Sequence, residues 1–142
     1  MAQRDTTVEI TRKVYEEMVD HARTEAPLEA CAMLLGQDGV INQYRHMTNT
    51  DESEVHFQFD PKEQHEVMKE ARDSEREILG VFHSHPSHES EAYPSEEDRS
   101  WGWPEYVYFI LNFQPDEVIL RAFELTEDEV TELEFEIIEE ST

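Results

Sequence analysis

Cysteine is almost missing from this chain: of 142 residues, Cys31 is the only one. One thiol closes no internal disulfide and forms no Cys-x-x-Cys redox or metal element, a usage that points to a reducing, cytoplasmic compartment. Lysine is nearly as scarce, being confined to Lys13, Lys62 and Lys69. Lys plus Arg total 11 against 35 Asp plus Glu, a formal net charge of -24. No basic patch is left to neutralise phosphates, which argues against nucleic acid as a partner. Long apolar runs are missing too: none approaches the roughly 18 residues of a membrane span. The first residues, Met1 to Thr7, lack the apolar segment of a secretion signal.

So large a negative charge repels itself in dilute buffer, but in molar salt the Debye length shrinks to about 3 Å. The acidic excess therefore reads as adaptation to a salt-rich cytoplasm. A disordered acidic chain is the other reading, and the regular apolar periodicity along most of the sequence opposes it. The length suits a single domain with a real core.

That periodicity predicts a mixture of helices and strands. Thr7 to Ile10 reads as an edge strand. From Thr11 onward, Val14, Tyr15, Met18, Val19, Ala22 and Ala26 recur at helical spacing, and Pro27 stops the helix. Ala30 to Leu35 is short and continuously apolar, as in a strand buried on both faces. Gln37-Asp38-Gly39 is a turn that makes Val40 to His46 the return strand of a hairpin. Val55 to Phe59 alternates as a further strand. Asp60-Pro61-Lys62-Glu63 is a helix start, with the helix running to about Ser74 and burying Val67, Met68 and Ala71. Ile78, Leu79, Val81 and Phe82 mark another buried strand, followed by a loop over 86–94 and a short helix opened by Ser95. Tyr106 to Asn112 and Val118 to Phe123 read as strands, and Thr131 to Ile137 as one strand with a wet face. The expected architecture is a layered α/β domain around one sheet.

The chemistry is concentrated in Gly80-Val81-Phe82-His83-Ser84-His85-Pro86 and Tyr93-Pro94-Ser95-Glu96-Glu97-Asp98. Residues i and i+2 of a strand project from one face. His83 and His85 thus present two imidazoles side by side where the chain turns at Pro86. Asp98 can supply a third ligand from across the loop. Two His and one carboxylate leave a tetrahedral zinc one open position for water, the pattern of a catalytic rather than a structural site.

His-Ser-His-Pro followed by Pro-Ser-x-x-Asp resembles the JAMM (Jab/MPN) metalloprotease family, in particular its archaeal desampylase- and deubiquitinase-like members. The upstream Glu of the family pattern corresponds to Glu29, in Pro27-Leu28-Glu29-Ala30-Cys31, and the resemblance spans roughly residues 8 to 123. Two departures stand out. The spacer from His85 to Ser95 holds nine residues where the family has about seven, and Ala32 stands where Gly is common; a loop absorbs two more residues at small cost. The resemblance implies a single-domain, three-layer α/β/α fold with a mixed, cytidine-deaminase-like sheet. It also implies one catalytic Zn2+ on His83, His85 and Asp98, with Glu29 as the general base and Ser95 as the oxyanion donor. The implied substrates are ubiquitin-like small modifier proteins and their lysine conjugates, cut after a C-terminal Gly-Gly. A Gly-Gly tail has no side chains to read, so pairing with a strand edge beside the metal is expected.

Blander readings stand beside these. Ser95-x-x-Asp98 is also a helix-capping pattern, and one start can both cap and aim Asp98. Any one Glu in so acidic a chain is most often a solvated charge, and Glu25 is an alternative to Glu29. His88 is a substitute ligand or loop surface, His56 a sheet residue and His65 an exposed helix residue. Trp101 and Trp103 line a groove or pack a loop. Cys31 reads as core. A nucleobase deaminase needs a Pro-Cys-x-x-Cys element and is excluded. A peptidase trimming sulfur-carrier precursors and a metal-free scaffold module of the same fold remain as alternatives.

Overall fold

The computed structural model describes residues 7–50, 58–87, 91–94, 105–126 and 129–139. Within them the order is β1 (Val8–Thr11), α1 (Arg12–Glu25), β2 (Cys31–Gln37), β3 (Val40–Met47), α2 (Pro61–Asp73) and β4 (Glu77–His85). Then follow β5 (Val107–Gln114), β6 (Glu117–Leu125), β7 (Val130–Leu133) and β8 (Phe135–Ile138). All eight strands form one mixed sheet in the order β7-β6-β5-β4-β2-β3-β1-β8. β1 pairs in parallel with β3 and β8, β4 in parallel with β5, and the other pairs are antiparallel.

The two ends of that order are joined by a single residue, Glu134. One residue spans only about 3.5 Å, so the sheet must curl until its edges meet. The strand expected over 131–137 is thus two short strands sharing one path: its first half pairs with β6 and its second with β1. The same curl places β1 between two neighbours rather than at an edge. The Phe109 and Phe135 rings, from strands far apart in the order, meet at 5.4 Å across the concave side.

Two helices cover opposite faces and give the α/β/α layering. Val14, Met18 and Ala22 of α1 pack on the concave face with Ala32, Leu34, Phe82, Phe109 and Leu111. Val67 and Ala71 of α2 pack on the convex face with Met33, Leu35, Val81, Ile110 and Phe123. Met68, expected in the core, is 51% exposed. It lies about 100° around the helix from Val67, outside the stripe that Val67 and Ala71 form one turn apart. The helix starts follow the local chemistry: Thr11 Oγ1 accepts from Val14 N at 3.2 Å, and Asp60 Oδ1 from Lys62 N at 2.9 Å. The hairpin between β2 and β3 turns through positive φ at Asp38 (55°) and Gly39 (81°), the conformation that favours Asp-Gly.

Of the strand expected over 55–59, Phe59 forms an isolated bridge to Asn49, and 55–57 lie outside the described residues. So do His56, His88, Trp101, Trp103 and the helix expected from Ser95.

Candidate metal centre

The site is assembled where β2 begins and β4 ends. β4 carries a bulge beside Leu79: Leu34 pairs with Gly80, Leu35 with Ile78, and the register shifts between them. Strict alternation counted from Leu79 would put His83 and His85 on the concave face with it. The bulge reverses that phase, so Leu79 and Phe82 face the concave core while Ile78 and Val81 face the convex one. His83 and His85 follow Val81 onto the convex side. In β2, Cys31 pairs with His83 and belongs to the convex cluster. Glu29, two residues before it, has the same phase.

These placements bring Glu29, His83 and His85 together, with one ligand atom from each within 4.8 Å of the others. All three are buried, at 2%, 3% and 9% exposure. A carboxylate so far out of water is not one of the solvated surface acids, and charged groups are buried at a cost that a functional partner must offset. Glu25, the alternative to Glu29, sits at the end of α1 outside this cluster.

The ring orientations are legible. Nδ1 of His85 lies 2.7 Å from the Glu91 carbonyl oxygen. A carbonyl only accepts, so Nδ1 carries the proton and Nε2 the lone pair. Nε2 of His85 is 3.2 Å from Nε2 of His83. Two nitrogens on one tetrahedral zinc, at bonds near 2.0–2.1 Å, would be about 3.3 Å apart. The pair therefore fits a zinc ion, and the hydrogen bond from His85 to a backbone carbonyl is the support a ligating imidazole ordinarily has. Glu91 is brought in because the loop returns over the convex face: Ala92 is buried in that core, and the Tyr93 ring meets Phe123 at 5.5 Å.

Two supports were not visible in the sequence. Ser84, between the two His and fully buried, accepts from Ala30 N at 2.8 Å through Oγ, while Ser84 N donates to Ala30 O at 3.0 Å. This extends the β2–β4 ladder by one step and ties the backbone beside Glu29 to the His strand. Asn49 Nδ2 donates to Glu29 O at 3.1 Å. A Ser reads as a polar residue of the motif, and nothing local reveals its partner across the sheet. Cys31 is core, as expected: burial first, then the neighbouring Glu29, pushes its thiol well above the ordinary range, which leaves it inert. Ser95 and Asp98 lie outside the described residues. β2 and β4 are paired on both sides, so the strand edge expected for backbone pairing is not theirs.

At the same end of the sheet a cleft is lined by Asp20, His21, Glu25, Leu28, His46 and Glu63, among others. His21 Nδ1 and Tyr44 OH are 2.7 Å apart, and the His21 and His46 rings are 4.3 Å apart between centroids. Burial, then His46, lowers the His21 pKa to about 4.

A curled mixed sheet between two helices, with two His and a carboxylate gathered at the mouth of a strand, defines a JAMM/MPN-type α/β domain. A sequence model described as prokaryotic homologs of the JAB domain matches residues 11–126, and the chain belongs to that family. The CysO-cysteine peptidase of Mycobacterium tuberculosis is 32% identical over 127 residues, covering 87% of this chain and 86% of the relative. The desampylase of Pyrococcus furiosus is 32% identical over 62 residues, 44% of each chain. Among solved structures, a protein from Desulfitobacterium hafniense superposes with a TM-score of 0.82 at 36% identity, over 93% of both chains. A JAMM protein described by its metalloprotease-like zinc site in the proteasome and signalosome shares the fold, with a TM-score of 0.62 at 23% identity, over 94% of this chain and all of the other. Among the described residues, no helix is long and apolar enough to cross a membrane.

Proposed function

We propose that this protein is a zinc-dependent peptidase that hydrolyses the bond after the C-terminal Gly-Gly of ubiquitin-like small modifier proteins, joined to a lysine or in a linear extension. The observation that carries the reading is the buried cluster itself: two imidazole nitrogens 3.2 Å apart with the Glu29 carboxylate beside them. His83 and His85 would hold the ion, with Asp98 completing the ligand set, and a zinc bound there would supply Lewis acidity. Glu29 takes the proton from the attacking water and returns it to the leaving amine, a role its place within reach of the imidazoles suits. Ser95 donates a hydrogen bond to the oxyanion.

A second reading makes the substrate a sulfur-carrier precursor with a linear extension; the extent of the match to a CysO-cysteine peptidase favours it. The deciding experiment offers the purified protein, in molar KCl, a lysine-linked modifier conjugate and a linear fusion, with and without a chelator. Cleavage of the conjugate that stops with chelator and returns with zinc supports the first reading. Cleavage of the linear fusion alone supports the second. A protein that contains no zinc and cuts neither is a metal-free binding module of the same fold.

A further inference from the structure

Asn112 is a fully buried amide in β5 that the chemistry above does not use. Its Nδ2 donates to the carbonyl of His85 at 2.6 Å and to that of Ser87 at 2.9 Å. Its Oδ1 accepts from Gln114 Nε2, which orients the amide with both N–H groups toward the turn. Both donors of one side chain are thus spent on the two carbonyls that bracket Pro86, a residue with no N–H of its own to help close the turn. Asn112 is also the cross-strand partner of His85 in the β4–β5 ladder, the last step before β4 ends. His85 is therefore held from two directions: its main chain by Asn112, and its ring by the Glu91 carbonyl.

We propose that Asn112 is a positioning residue for the metal centre: by clamping the carbonyls of His85 and Ser87, it sets where His85 Nε2 lies relative to His83 Nε2. The inference rests on the metal reading above. Pro86 ends the ladder, so without the clamp the His85 main chain is anchored on its N-terminal side only, and the ring inherits that freedom. An apolar replacement also leaves the two carbonyls without these donors, a stability cost that is read separately from zinc affinity.

The test is zinc affinity, measured by chelator competition, in wild type, Asn112→Leu and Asn112→Ser, with Leu111→Ala as the control. Leu111 is as buried as Asn112 but faces the concave core opposite the site. Asn112→Leu is expected to lose about 10- to 100-fold in affinity, the usual cost of removing a group that orients a ligand. Asn112→Ser keeps one donor and falls between; it serves alone where the Leu variant does not fold. Leu111→Ala lowers unfolding stability while its affinity stays within about threefold of wild type, since its cost is a cavity in the concave core. Wild-type affinity in both Asn112 variants, or an equal loss in Leu111→Ala, overturns the clamp. A wild-type protein that takes up no zinc overturns the metal reading and the clamp together.

Discussion

Cys31 and His83 face one another across the β2–β4 ladder, and this pairing is what carries Glu29 to the imidazoles. Extended by two residues, the same antiparallel register sets Glu29 against His85, although β3 and α2 lie between the two strands in the chain. Glu29 and the two imidazoles are thus held relative to each other through the β2–β4 ladder and its extension at Ala30 and Ser84. That is the rigid support a proton transfer over a few ångströms requires.

Glu29→Gln keeps the shape of the side chain and removes its basicity. We expect hydrolysis to fall about 100- to 10,000-fold while zinc stays bound, because the role assigned is proton transfer and not ligation. His83→Ala and His85→Ala should lose metal and activity together. Zinc content and single-turnover rates on the same preparations separate the two outcomes. An active Glu29→Gln protein would remove Glu29 from the role of base.

Ser84→Ala deletes the acceptor that holds Ala30 N at 2.8 Å in a buried place. An orphaned buried donor costs about 1–3 kcal/mol. Because the bond ties down the segment bearing Glu29, the rate should fall more than zinc affinity does. Urea unfolding gives the first quantity, and kcat set beside metal competition gives the second.

Gly80 lies where a Cβ would meet the Val107 carbonyl oxygen at 2.3 Å, a backbone atom of β5. Gly80→Ala must push β4 and β5 apart next to the bulge that phases the His pair. A loss of about 2–3 kcal/mol is expected, together with weakened metal binding. Unchanged stability would show that the two strands yield without cost.

His21 predicts a pH dependence unrelated to the metal centre. Its folded pKa, lowered from 6.5 to about 4, lies beneath its unfolded value. Above about pH 6.5 both states are neutral at this residue, and it adds no slope. As pH falls through the window between 6.5 and 4, the unfolded chain gains a proton that the folded protein refuses, so stability drops. The groups around it are Tyr44, His46 and the carboxylates of Asp20, Glu25 and Glu63. At pH 4.5 the loss attributable to His21 is about 2–3 kcal/mol relative to pH 7. His21→Gln should lose correspondingly less between those two pH values in urea titrations, and equal losses in both proteins would refute the assignment.

Much of the architecture was readable before any coordinates. Pro27, Asp38-Gly39 and Asp60-Pro61 are local signals, and the elements they bound lie where expected. Met68 departs from its pattern because an apolar residue beside a helical stripe looks like part of it until the neighbouring layer fixes the stripe's width. The alternation over 131–137 predicts one element because it is blind to which neighbour a strand pairs with, and here each half has a different one.

At the site, the spacing of His-Ser-His was enough to nominate the two imidazoles, because ligand chemistry is a property of residue type and short-range spacing, whereas Glu29 was nominated only by the family resemblance. Local sequence therefore determined the elements, the paired imidazoles and the surplus of acid. Tertiary structure alone decided which face the pair points to, what neighbours it and what holds it still. The run Ile78-Leu79-Gly80-Val81-Phe82 is apolar on both faces and carries no phase, so the bulge beside Leu79 set it. The partners Ser84–Ala30 and Asn112–His85 join residues 54 and 27 positions apart. Such contacts exist only once a sheet has closed, because no stretch of a few residues can encode what lies across it.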